Sequence, residues 1–339
     1  MMKVTFGRII DNFLHDTGLV SKKNPVSQAG IIDQSRVKKL DIITGSADVN
    51  VLVHDKPFID IILDTFENGP QLKISHDDES VRIETCGSHN MWMMGLDQLH
   101  LCLHIKVPLN LADIWNVKTG SGDIKIPKIR TDSLQVTTGS GDVELHKPKA
   151  NVLKLHASSG DMKCHDIVAD SFQISTTSGD VELSELKGNA ISGASTSGDL
   201  RINDTYSEKL SARTISGDVD IEDVRADVVE LVSTSGDIEA TSTKANKTSL
   251  KTISGDVDYD YVNDCHIQGS ATSGDLMIRC KNTNPNATVD LDTRSGSIRT
   301  NMTRNIHQKS DNHLSGVVGN GEYHIQLKST SGDIELIYR

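Results

Sequence analysis

Thr176-Thr177-Ser178-Gly179-Asp180-Val181-Glu182-Leu183 is one copy of the phrase that decides the fold. Its kernel, Ser-Gly-Asp, begins at residues 121, 140, 159, 178, 197, 216, 235, 254 and 273, an unbroken spacing of 19. A weaker echo follows at Ser295-Gly296-Ser297, and a full copy returns at Ser331-Gly332-Asp333. A fixed period of this length marks a stacked, one-dimensional architecture in which each repeat buries its apolar face against its neighbours.

Working outward from the glycine, the repeat reads as columns. Two places after it stand Ile124, Val143, Met162, Val181, Leu200, Val219, Ile238, Val257 and Leu276, all apolar. Two further on, Leu145, Leu183, Ile202 and Ile221 continue the same face. Before the glycine, Leu134 with Val136 and Phe172 with Ile174 alternate in the same way, and the place three before it is always Thr, Ser or Ala. Alternation on both sides with a phase shift across the glycine describes two strands joined at a corner. A third apolar column, Ile129, Ile167, Leu186, Val224 and Val262, adds another wall. The expected fold is therefore all-β: a single-stranded parallel β-helix, a solenoid of roughly three-sided 19-residue rungs. Right-handed coiling follows the general handedness of parallel crossovers. One outward column supports the stacking independently, since Lys125, Glu144, Lys163, Glu182, Arg201 and Asp220 alternate in sign until Glu239 and Asp258 break the pattern. In a parallel, in-register stack these side chains are neighbours.

The flanks are less regular. Phe6, Ile9, Ile10, Phe13 and Leu14 have helical spacing, so residues 3–15 are expected to form a short amphipathic helix capping the open end of the stack. Membrane anchoring through residues 3–15 is the alternative, disfavoured because Asp11 and Asp16 offset Lys3 and Arg8. The expected organisation is a helix and linker over 1–36, irregular strands over 37–114, and the regular repeat over 115–339 with an irregular segment near 300–322. Within the second region, LDIIT, DVNVLVH, FIDIIL, QLKIS and VRIET read as strands, and Thr44-Gly45-Ser46-Ala47-Asp48-Val49 is a degenerate first copy of the repeat. His89 to Gly95, HNMWMMG, interrupts the rhythm before the half-buried strand LHLCLHIKVP. The segment after Thr300 is expected to fold over the terminal strand and shield its edge.

Composition bounds the function. Aromatic residues make up only 4% and hydrophobic residues 36% of the 339-residue chain, which suits thin rungs better than a large enzyme core. A net charge of −12 makes nucleic acid and anionic lipid poor general partners. Cys86, Cys102, Cys164, Cys265 and Cys280 form no CxxC pair, and their odd number favours reduced thiols. With no signal-peptide core in the N-terminal segment, a cytoplasmic location is expected, and a peripheral-membrane or cell-surface location reached by another route is the alternative.

Two groups of residues are candidates for metal. Asp123, Asp142, Asp161, Asp180, Asp199, Asp218, Asp237, Asp256 and Asp275 would stack as a carboxylate ladder that a calcium reading would use. The preferred reading is structural: each Asp accepts hydrogen bonds at the corner while the glycine takes a backbone angle that other residues resist. His100, Cys102 and His104 share one strand face and are zinc candidates, although alternate residues nearly 7 Å apart cannot all reach one ion without distortion. No cofactor is implied. Uniform columns oppose an active site, which needs one rung to differ from the others, with Lys or Arg set among acids.

The repeated T-x-SGD-[IV]-x-[IVL], with Ile105-Lys106-Val107-Pro108 ahead of it, resembles the bacterial putative-adhesin domains of unknown function. That resemblance, over about residues 37–339, implies a β-helix with roles in adhesion or Gram-positive cell-envelope stress and carries over no catalytic residue. The expected function is a non-enzymatic interaction scaffold for a protein or glycan. A carbohydrate-active β-helix enzyme of lyase or hydrolase type is one alternative, and a cytosolic or membrane-associated component of envelope stress response is another.

Overall fold

The computed structural model describes residues 4–9, 25–33, 36–87, 101–282, 285–302 and 306–338, all of whose regular elements are β-strands. His89 to Gly95, Leu99 and His100 lie outside these residues. The chain divides into two compact units, Met1–Gly160 and Asp161–Arg339.

In the first unit two parallel columns form. Ser80–Cys86, Val37–Ile43, Ala112–Thr119, Ser133–Thr138 and Lys149–Ala157 stack in that order. Cys102–Pro108, Asp48–His54, Ile124–Ile126 and Val143–His146 form the second column. The alternation read from the sequence is the burial pattern: Leu101, Leu103, Ile105 and Val107 are buried, while Cys102, His104 and Lys106 are half-buried. The degenerate first copy is a true corner, because Asp48 Oδ1 accepts the N–H of Asp123 at 2.9 Å.

The helix expected over residues 3–15 is corrected. Val4–Ile9 is a strand, antiparallel to Pro25–Ile32, which in turn pairs with Ile59–Phe66. Val4, Thr5, Phe6 and Ile9 are good strand formers, and Gly7 weakens a helix interior. An adjacent strand edge offered backbone partners that the few apolar residues at helical spacing could not outweigh. Residues 10–15 lie outside the described residues.

In the second unit Met162–Thr176, Val181–Ala194, Leu200–Arg213, Val219–Val232 and Ile238–Lys251 pair in parallel, each with the next. Every rung turns three times. The first turn is the SGD corner. The second is a residue in the left-handed region six places after the glycine: Asp166, Glu185, Asp204, Asp223 and Ser242, with φ from 49° to 55°. The third is an unpaired place, such as Asn189 or Glu208, where the register skips one residue. Three short arms result, each with its inward side chains in the core.

The rung after Gly255 departs from this plan. A register shift pairs Thr243 with Tyr261, so Tyr261 occupies the inward column, 1% exposed, and Val262 is 40% exposed. The expected inward place for Val262 is thus wrong by one residue, since this rung lacks the left-handed turn residue. The closing rung, Tyr323–Ser331 and Ile334–Tyr338, then stacks on His266–Ser273 and Leu276–Cys280. The earlier segment Ala287–Thr293 with Ile298–Thr300 lies outside it. The edge of Ala287–Thr293 is covered by an antiparallel hairpin of His313–Val318 and Ile306–Lys309.

Candidate interaction surface

The carboxylate ladder is a register device. In the second unit the N–H of each ladder residue from Asp180 to Asp275 donates to Oδ1 of the Asp one rung earlier, and Asp333 donates to Asp275, all at 2.7–3.0 Å. The same bond joins Asp142 to Asp123 in the first unit. A one-residue slip would break every rung-to-rung bond of this kind, each worth roughly 1 kcal/mol net. The last acceptor is Asp333, which takes the N–H of Ser297 at 2.8 Å and is held below the usual carboxylate range by that bond. A Ser suffices in the echo copy because its side chain has no further rung to receive.

The expected reason for glycine needs correction. Of the repeat glycines only Gly274, at φ 155°, takes a backbone angle that other residues resist, whereas Gly198, Gly217, Gly236 and Gly255 do not. A Cβ on Gly198 would instead stand 2.0 Å from the carbonyl oxygen of Gly179, and one on Gly236 2.1 Å from that of Gly217. Close approach of backbones, rung on rung, requires the bare Cα. The hydroxyl three places before the glycine completes the corner: Ser195 Oγ accepts the N–H of Gly198 at 2.8 Å, and Thr214 Oγ1 donates to the carbonyl of Gly198 at 3.3 Å.

The zinc candidates are brought only partly together. Cys102 Sγ lies 3.9 Å from His104 Nδ1, and His104 Nε2 lies 3.4 Å from Asp64 Oδ2 on the antiparallel neighbour. Burial, reinforced by Asp48 and Asp64, pushes the Cys102 thiol up to about 11. His100 is outside the described residues. Among the described residues, no group of three or more His, Cys, Asp or Glu is arranged to hold a metal ion.

The outward arms of the second unit are where the side chains remain available, and their charges are unevenly spread. On the first arm Asp220, Glu239 and Asp258 stack in register. Burial raises the Asp220 carboxyl, against the lowering effect of Arg201, and Glu239 raises it further. The run has cationic partners: Arg201 lies 3.5 Å from Asp220, Arg279 pairs with both Asp258 and Asp260, and Lys281 Nζ lies 3.5 Å from the other Asp260 oxygen. Asp260 and Arg279 belong to different rungs, so only the stacking brings them together. Asp260 is left 8% exposed with both oxygens engaged.

The third arm is cationic. Lys209 and Arg213 on one rung and Lys247 and Lys251 two rungs on are exposed. Glu230, on the rung between, takes Lys209 at 3.1 Å and Arg213 at 3.4 Å. Among the described residues Lys247 and Lys251 meet no carboxylate. The sequence hid this stripe because its members are separated by 4 or 38 positions within a chain of net charge −12.

Inside the coil Tyr259 and Tyr261 stack with ring centroids 5.8 Å apart. Burial pushes the nearby Cys265 thiol up to about 12. Cys164, Cys265 and Cys280 are free, buried thiols and act as small apolar residues.

Parallel rungs, a side-chain-to-backbone ladder at one corner and outward arms of uneven charge define a β-solenoid repeat protein. The chain belongs to the Toastrack DUF4097 family, whose model matches residues 37–212 and 191–337. No curated protein matches it. Among solved structures it is similar to a putative lipid binding protein from Parabacteroides distasonis, at 17% identity over 76% of this chain and 97% of that one, with a TM-score of 0.42. It is also similar to a putative cell adhesion protein from Clostridium sporogenes, at 11% identity over 93% and 100% of the two chains, with a TM-score of 0.25. A putative adhesin from Bacteroides fragilis shares 12% identity over 94% and 100%, with a TM-score of 0.33.

Proposed function

We propose that the chain is a non-enzymatic interaction scaffold that binds a glycan or protein partner on the outward arms of its second unit. The observation that carries this reading is the division of labour between corner and arm. At the corner, the repeated carboxylates are spent on holding register. On the arms, the acidic run of Asp220, Glu239 and Asp258 and the exposed cations Lys209, Arg213, Lys247 and Lys251 lie on different walls. Where Arg stands among acids in the second unit, Arg201 with Asp180, Asp199 and Asp220 and Arg279 with Asp258 and Asp260, the guanidinium is engaged in ion pairs along the stack, which argues against the enzymatic reading.

The test is incubation of the full chain with a panel of acidic and neutral polysaccharides, following retention on the protein and polymer length together. Retention of at least one polymer without shortening is expected. Shortening of any of them, or new unsaturated or reducing ends, would replace the scaffold with an enzyme.

A further inference from the structure

We propose that the third-arm wall of the second unit binds an extended acidic glycan whose carboxylates recur on alternate sugars. The inference rests on the scaffold reading above and narrows its ligand.

The wall repeats a surface motif at twice the period of the fold. Lys209-Leu210-Ser211-Ala212-Arg213-Thr214-Ile215 and Lys247-Thr248-Ser249-Leu250-Lys251-Thr252-Ile253 carry the same outward places, Lys, Ser, a cation, then Ile, although Ser211 is buried with Arg213 Nε 3.4 Å from its Oγ whereas Ser249 is half-buried. Between them lies the row of Val228, Glu230, Val232 and Thr234. Register places Arg213, Val232, Lys251, Ser270 and Lys328 in one column, so the cations fall on every second rung.

Strand geometry converts this into a template. Rungs stand about 4.8 Å apart, so successive cation rows are about 10 Å apart. Within a row the two cations are separated by roughly 13 Å along the strand. Duplex nucleic acid carries a charge per about 1.7 Å of axis. Such a polymer would set most of its phosphates over Val228, Val232 and Glu230 instead of over a cation. A glycan with one carboxylate per disaccharide matches the two-rung interval. The remaining features of the wall suit sugars as well. Ile215 and Ile253, 52% and 45% exposed, offer apolar surface to the faces of the rings, and Ser249 and Thr234 offer hydroxyl partners. Glu230 tempers the first row by holding Lys209 and Arg213, whereas the second row is free to engage an anion.

The experiment uses the full chain and immobilised sodium hyaluronate, which has a carboxylate on every second sugar, with neutral pullulan and inorganic polyphosphate alongside. Hyaluronate is expected to be captured at low salt and released as salt rises, ahead of both other polymers. Lys247→Ser with Lys251→Ser should weaken capture about tenfold or more, a loss of roughly 1.4 kcal/mol. Glu230→Gln should tighten it several-fold by freeing Lys209 and Arg213. Lys187→Ser with Lys244→Ser, on the second arm, should change it less than about twofold. Thermal unfolding of each variant confirms that its fold is kept. Failure to capture hyaluronate, tighter capture of polyphosphate, or indifference to the Lys247 and Lys251 substitutions overturns the inference. Equal capture of pullulan overturns it while leaving the scaffold reading in place, whereas shortening of hyaluronate removes the scaffold reading itself.

Discussion

Two of the three corners in each regular rung of the second unit look nothing alike in sequence. At the SGD corner the same three letters recur from Ser178 to Asp275. At the left-handed corner the residues are Asp166, Glu185, Asp204, Asp223 and Ser242, yet their φ values span only 49° to 55°. From Gly179 to Gly255 the strained backbone is therefore at the corner with the varied letters, and the glycines are at the corner that lacks it; only Gly274, at φ 155°, among the described SGD glycines departs from this. What makes a place uniform in this fold is contact between rungs. A carbonyl oxygen about 2 Å from where a Cβ would stand admits no side chain, and an N–H facing the neighbouring rung selects a short carboxylate. A left-handed residue with its side chain in water costs roughly 1–2 kcal/mol whatever its polar identity, and several residue types tolerate that.

The sharpest way to break this comparison is to put a side chain into the contact. Gly198→Ala would set its Cβ 2.0 Å from the Gly179 oxygen and 2.6 Å from the carbonyl carbon, both backbone atoms that cannot rotate away. Separating the rungs there is expected to cost about 3 kcal/mol or more, read as a lower urea midpoint and as faster amide exchange in the two adjoining rungs. A midpoint within about 0.5 kcal/mol of the parent would show that the close approach is not what selects glycine. The ladder bond comes next. Asp237→Ala removes the acceptor of the Asp256 N–H, now 2.8 Å away, and is expected to lose about 1 kcal/mol. Asp237→Asn keeps an oxygen in the same place and should lose less than half as much. Equal losses from the two would move the role of the column from hydrogen bonding to charge.

The same distinction explains what could be read in advance. Rungs, inward columns, strand positions from Val37 onward and the charge ladder were legible because each is a contact between equivalent places. Lys125 does reach Glu144 at 3.0 Å and Arg201 reaches Asp220 at 3.5 Å. The second corner was not legible, since a φ value leaves no letter behind when Asp, Glu and Ser can all adopt it. The pairing of Arg279 with Asp260 obeys the same rule, since the two stand 19 positions apart in one column, but that column carries no alternation of sign to draw the eye. Helical spacing misled over Val4–Ile9, where a few apolar residues fit two periods and the neighbouring strand edge decided. The cationic wall was missed for a different reason: a charge total averages over the acidic run of the first arm and the cations of the third, which the coil separates.

The mildest test reverses the sign of the first. Asp204 is exposed at φ 49°, a conformation that glycine reaches without the crowding of a Cβ. Asp204→Gly removes that crowding but also gives the unfolded chain more freedom to lose, so the two effects partly offset. The crowding term is the larger, and a net gain of about 0.5 kcal/mol is expected. Asp204→Val, whose branched side chain fits the left-handed region worse, should lose about 1 kcal/mol or more. Glycine introduced at one corner would then stabilise the coil while glycine removed from the other destabilises it, with both corners on the same rung. If Asp204→Gly instead destabilises by as much as Asp204→Val, the Asp side chain itself holds the turn. The variety of residues at that corner would then have to be explained by several side chains making equivalent local bonds, not by tolerance of a shared backbone angle.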